Sequence, residues 1–217
     1  MIITIDGQQV REKVPWLAAL AERLGFPVSG YRGFISALIA WTCLQKNVPF
    51  DDVAAIIDLA RQMEIRWEEA RLWVNDVEVT EEIRSAEVTQ GASQVAVIAE
   101  VREALNEVQR RIADTQDLVT EGRDQGTVVF PHAECKFFLN ASAEERARRR
   151  YLELTNQNQE AEYETILDQI QERDERDATR EIAPLKPAAD AIQIDSTELT
   201  PDRVLDELEE TARQKMN

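Results

Sequence analysis

The sequence predicts a three-layer α/β protein built on a parallel sheet. Three observations carry that reading. Short apolar runs of strand length recur at Ile2–Ile5, Leu118–Glu121, Lys136–Leu139 and Ala191–Ile194, with a weaker one at Phe26–Val28. Segments of ten or more residues with helical patterning separate most of them, and parallel strands need such crossovers. A 43% hydrophobic fraction in 217 residues supplies a core that can be covered on both faces.

Taken in order, Met1 to Asp6 read as a buried strand that Gly7 ends, and Pro15–Leu24 as a helix that Gly25 stops. Ile65–Val79 breaks the α/β alternation. Its two short runs, Ile65-Arg66-Trp67-Glu68 and Leu72 onward, with Asn75-Asp76 as a hairpin turn, predict a small antiparallel insert. Ala143–Arg180 is helical, densely charged and broken near Asn156–Asn158, so it is either a lid or a solvated helix pair. Ser142 and Glu145 stand three apart, as in a capping box, at its start. Thr200-Pro201 opens the last helix, with Val204, Leu205 and Leu208 on one face.

Composition narrows the function. Lys and Arg total 25 against 42 Asp and Glu, a net charge of −17, which repels nucleic acid and anionic membrane. No apolar run is long enough to span a bilayer, and no basic leader precedes Met1–Ile5, so a cytoplasmic protein without an export signal is expected. Cys43, Cys135 and the lone His132 lack metal-site spacing, so no metal is expected.

Three stretches could carry chemistry. A strand, a glycine and a helix frame many phosphate sites. Here the connection Gln8-Gln9-Val10-Arg11-Glu12-Lys13-Val14 lacks inner glycines, and Pro15 stands where a hydroxyl would help hold magnesium. Side chains there restrict how far the backbone amides can turn toward an anion. The second stretch, Glu121-Gly122-Arg123-Asp124-Gln125-Gly126, follows a strand, where open sheets bind ligands. Arg123 there can fork onto a phosphate, or pair with Asp124 in a charged turn. In the third, Arg173, Asp177 and Arg180 fall at i, i+4 and i+7, with Arg176 bordering them. That pattern suits either phosphate binding or a surface ion-pair ladder.

From about Glu82 onward the chain resembles the bacterial cytidylate kinases. The likeness rests on Ser93-Gln94-Val95-Ala96, Val101-Arg102-Glu103-Ala104-Leu105, Gly122-Arg123-Asp124, Gly126-Thr127-Val128-Val129-Phe130-Pro131 and Glu172-Arg173-Asp174. Ala183-Pro184-Leu185 and Asp195-Ser196-Thr197 extend it, and Ile3-Thr4-Ile5-Asp6-Gly7 carries it to the start. The resemblance implies a P-loop-type core with an inserted monophosphate-binding region and a helical lid. It divides the chain into core 1–60, insert 61–100, core 101–142, lid 143–182 and core 183–217. It implies that Arg102, Arg123, Asp124, Arg173, Asp177 and Arg180 bind a CMP-like ligand. Lys13, with Arg146, Arg149 and Arg176 of the lid region, would stand at the ATP phosphates. The main departures lie early: the loop ends Glu12-Lys13-Val14-Pro15, and Ser36-Ala37, or Ile35-Ser36 in a register shifted by one, replace a Tyr-Arg pair; further on, Glu121 and Gln125 replace an aspartate and a methionine. From them follows the expectation of a pseudoenzyme with a degenerate P-loop. Such a protein uses neither ATP nor magnesium, its Lys13, Arg149 and Arg176 are vestigial, and it acts by binding CMP, another anion or a protein partner. The alternative is an active kinase that makes (d)CDP from ATP and (d)CMP.

Overall fold

A computed structural model describes residues 1–8, 15–26, 28–68, 71–96, 98–179 and 183–216. In chain order the elements are β1 (Ile2–Gly7), α1 (Pro15–Leu24), β2 (Val28–Tyr31), α2 (Arg32–Lys46), α3 (Val53–Gln62), β3 (Ile65–Glu68), β4 (Arg71–Val74) and β5 (Val77–Glu78). Then come α4 (Ala86–Val95), α5 (Ala99–Ala113), β6 (Leu118–Gly122), β7 (Cys135–Asn140), α6 (Ala143–Asn156), α7 (Tyr163–Thr179), β8 (Ile192–Asp195) and α8 (Pro201–Met216). They form two compact units, Met1–Val28 with Leu118–Asn217, and Ser29–Asp117.

The first unit is the α/β core, a parallel sheet flanked by helices. Its strands run in the order β6-β1-β7-β8, and the sheet continues from β6 to β2, where the chain leaves this unit. β1 pairs in parallel with β6 (Ile3↔Val119, Asp6↔Gly122) and with β7 (Ile5↔Phe137), and β7 pairs with β8. Side chains alternate across a strand. Ile3, Ile5, Val119 and Phe137 therefore share one face, and Thr4, Asp6 and Thr120 the other. α1 packs on β6 and α8, burying Leu17, Leu20 and Leu24 alongside Val204, Leu205 and Leu208.

Gly7 ends β1 for a steric reason. Its φ is 154°, and an added Cβ would lie 2.0 Å from the Leu139 carbonyl oxygen of the neighbouring strand. Only glycine permits so close an approach. After β6 the chain makes a single π-type turn over Gln125–Val129, closed by Phe130 N–H donating to the Gln125 carbonyl at 2.7 Å. α6 and α7 pack on each other through Ala147, Ile166 and Ile170, so the charged pair has a small core of its own. Half of the expected capping box is present. Ser142 Oγ accepts from the Glu145 N–H at 3.1 Å, while the Glu145 carboxylate turns to Arg148 and Arg149.

The second unit is mostly helical. Ile35, Leu38, Ile39, Ile56, Val101 and Leu105 are among its buried core. β3, β4 and β5 form the antiparallel insert that the sequence predicts. Asn75 and Asp76 both take positive φ, 46° and 64°, which a two-residue turn matched to strand twist requires. Among the described residues, no helix is long and apolar enough to cross a membrane.

Candidate functional site

The site begins where β1 and β6 end side by side. Asp6 is 3% exposed, and both its carboxylate oxygens are engaged. Oδ1 accepts the Gln125 N–H at 2.8 Å and Oδ2 the Gly126 N–H at 2.7 Å. Burial pushes its pKa up to about 6, against the pull of the two N–H groups and with help from the neighbouring Asp124 charge. Gly126 is required here, because a Cβ would lie 2.8 Å from Thr4 Oγ1. Thr120 steadies the same turn by donating to Gln125 Oε1 at 2.9 Å.

Asp6 thereby anchors the turn that carries Arg123 and Asp124. Arg123 donates through Nε to Asp177 Oδ2 at 3.0 Å and through Nη1 to the Gly7 carbonyl. Arg173 Nε lies 3.9 Å from the same Asp177 oxygen, an ion-pair distance rather than a hydrogen bond. Arg123, Arg173 and Asp177 therefore meet at the carboxyl ends of the strands. Asp124 is 1% exposed beside them. Glu121, on the opposite sheet face, is raised to about 7 by burial, partly offset by Arg123. Its Oε2 is buried without a hydrogen-bond partner among the described residues.

The other expected site residues lie elsewhere. Arg149 donates to Glu145 Oε1 at 2.8 Å and to the Ser196 carbonyl at 2.7 Å, and reaches the Leu199 carbonyl at 3.3 Å. It clamps the turn after β8. Arg176 is exposed on α7. Arg102 is partly buried in the first turn of α5, in the second unit. Lys13 and Arg180 fall outside the described residues. Sequence reasoning missed Asp6, whose partners lie 119 and 120 positions away. Arg146, which the resemblance sets among the lid arginines near the ATP phosphates, has a side chain 7% exposed that forks onto Asp174, Nη1 at 3.0 Å, and ties α6 to α7.

A parallel sheet flanked by helices, with polar side chains gathered at the carboxyl ends of its central strands, defines an open-sheet α/β protein of the class that binds its ligands at those ends. Comparison with known proteins specifies it. The family model described as "Cytidylate kinase" matches residues 3–214. Cytidylate kinase 1 of Haemophilus influenzae is 43% identical over 211 residues, 95% of this chain and 91% of that protein. A cytidylate kinase of Pseudomonas fluorescens (strain Pf0-1) is 44% identical over 213 residues, 95% of this chain and 93% of its own length. A crystal structure of an uncharacterized protein from Eubacterium ventriosum shares the fold, with a TM-score of 0.52 at 13% identity, covering 99% of this chain and 98% of that one. The chain belongs to the cytidylate kinase family.

That membership corrects four expectations: the pseudoenzyme, the degenerate P-loop, the absence of enzyme activity and the absence of ATP and magnesium. All four rested on the side chains of Gln8–Pro15 and on Ser36-Ala37. The family match runs through both segments, from residue 3 to residue 214. The physical reason lies in what the loop argument used. Side-chain identity biases backbone amides but does not fix where they point. A few unusual residues therefore weigh less than identity above 40% spread over the whole chain.

Proposed function

We propose that this protein is a cytoplasmic (d)CMP kinase that transfers the γ-phosphoryl group of ATP to CMP or dCMP. The observation that carries the reading is the near full-length match to proteins named cytidylate kinase. The geometry supports it. Arg123 and Arg173 flank one carboxylate at the strand ends, so an incoming phosphate can replace Asp177 as their partner. Asp124, Asp177, Arg102 and Arg180 complete the CMP side of the reading. Lys13 and Arg176 belong to the triphosphate side, and Arg149 supports the turn after β8. The cytoplasmic setting agrees with Cys43 and Cys135, both buried free thiols.

The chain also suits magnesium. The unpartnered buried Oε2 of Glu121 is a hard oxygen donor at the strand end, of the kind that would hold the ion. Bound magnesium supplies charge neutralisation at the phosphates. The chain's own part is to orient the acceptor phosphate and exclude water, the positioning on which phosphoryl transfer chiefly depends. The exposed large apolar side chains Val77, Leu152 and Met216 sit on three different elements and lend no support to a protein-docking role.

The test is an ADP-release assay with magnesium-ATP and CMP, dCMP or UMP. Turnover of about 1–100 per second with CMP or dCMP is expected. No turnover above background with saturating nucleotides overturns the reading.

A further inference from the structure

We infer that Asp6 is a positioning residue, which fixes the turn beside Arg123 and so presents that guanidinium to the anionic end of a nucleotide. The residue lies in β1 and the turn follows β6, so the link joins two strand ends that meet only in the sheet. Both carboxylate oxygens are spent on it, one on the Gln125 N–H and one on the Gly126 N–H. The next residue adds a third tie, because the Gly7 carbonyl accepts from Arg123. The guanidinium and the backbone two and three residues beyond it are thus held by the same two residues of β1.

Three features argue that this is more than packing. The turn is a π-type turn, which lacks the repeating bonds of a longer helix to hold it. Asp6 is nearly sealed from water, and a buried carboxylate persists only where its partners are fixed. The groups around it are all part of the site or its frame: Thr4 and Lys136 crowd Gly126, while Arg123 and Asp124 contribute opposing charges. Asparagine cannot replace the carboxylate. It offers one acceptor and an NH2 group, and that NH2 would face a backbone N–H.

The inference shares the proposed function's nucleotide only in one arm of its test. Amide hydrogen exchange is measured on Asp6→Asn and on the unaltered protein, without nucleotide. In the unaltered protein the Gln125 and Gly126 amides should exchange as slowly as those of Ile3 and Ile5. In Asp6→Asn they should exchange at least about tenfold faster, the expected loss of a charge-assisted bond, with Ile3 and Ile5 unchanged. In calorimetry, CMP binding should weaken about tenfold or more while magnesium-ATP binding holds within about twofold. Equal exchange in both proteins, or CMP and ATP binding weakened together, overturns the inference. Should Asp6→Asn not fold, loop-like exchange of Gln125 and Gly126 in the unaltered protein overturns it, and strand-like exchange supports it. A protein that neither binds CMP nor transfers phosphate defeats the proposed function, and the exchange arm still decides the role of Asp6.

Discussion

Glu121→Gln should make the protein more stable at high pH and poorer with magnesium. Burial lifts the Glu121 carboxyl from 4.5 to about 7. The folded-state value lies above the unfolded one, so the folded protein favours the protonated form. The resulting penalty is absent below about 4.5 and complete above about 7. Stability from this group therefore falls as pH rises through that window. Each pKa unit is worth about 1.4 kcal/mol, so the full penalty at pH 8 is roughly 3 kcal/mol as an upper bound. Partial exposure of the side chain screens it to about 1–2 kcal/mol. Glutamine is neutral throughout and matches the shape. In magnesium-free buffer, urea unfolding should show Glu121→Gln more stable than the parent by about 1–2 kcal/mol at pH 8, shrinking toward zero near pH 4.5. Asp6 titrates in the same direction in both proteins and cancels from the difference. The same variant should need more magnesium for half-maximal turnover, a trade of function against stability. An equal stability difference at both pH values, or none at pH 8, would refute the reasoning.

Two further substitutions test the site and its frame. Arg123→Met should weaken CMP binding about 10–150-fold, the worth of a charge-assisted hydrogen bond, with magnesium-ATP binding little changed in calorimetry. Arg146→Met leaves the Asp174 carboxylate without its fork and should cost about 3–5 kcal/mol, read as faster amide exchange in α6 and α7. The double variant Arg146→Met with Asp174→Leu should recover most of that loss.

The elements of the core were legible because their signals are local. Apolar runs mark β1, β6, β7 and β8 within a few residues, and Asn75-Asp76 marks a turn, because both residues tolerate positive φ. β2 was placed two residues early, at Phe26–Val28 rather than Val28–Tyr31. Four residues reading Val-Ser-Gly-Tyr carry no alternation, and only pairing in the sheet makes them a strand.

The site divides along the same line. Glycines around Arg123-Asp124 and the helical spacing of Arg173 and Asp177 named the residues, since both patterns are short-range. They did not name the partners. That Arg123 reaches the Gly7 carbonyl and Asp177, 116 and 54 positions away, follows from strand order, which places β6 beside β1. Arg149 shows the limit most clearly. Its place on a charged helix suggests a phosphate contact, yet its guanidinium meets three backbone carbonyls of the turn after β8. Carbonyls carry no side-chain signature, so no motif could have announced them. The phosphate loop posed the converse problem. Glycine spacing is a local signal and it was missing, but what such a loop offers an anion is a set of amide directions. The positive φ of Gly7, 154°, beside the Leu139 carbonyl, together with the tie from Gly7 to Arg123, shows that neighbouring strands fix the residue from which the loop departs.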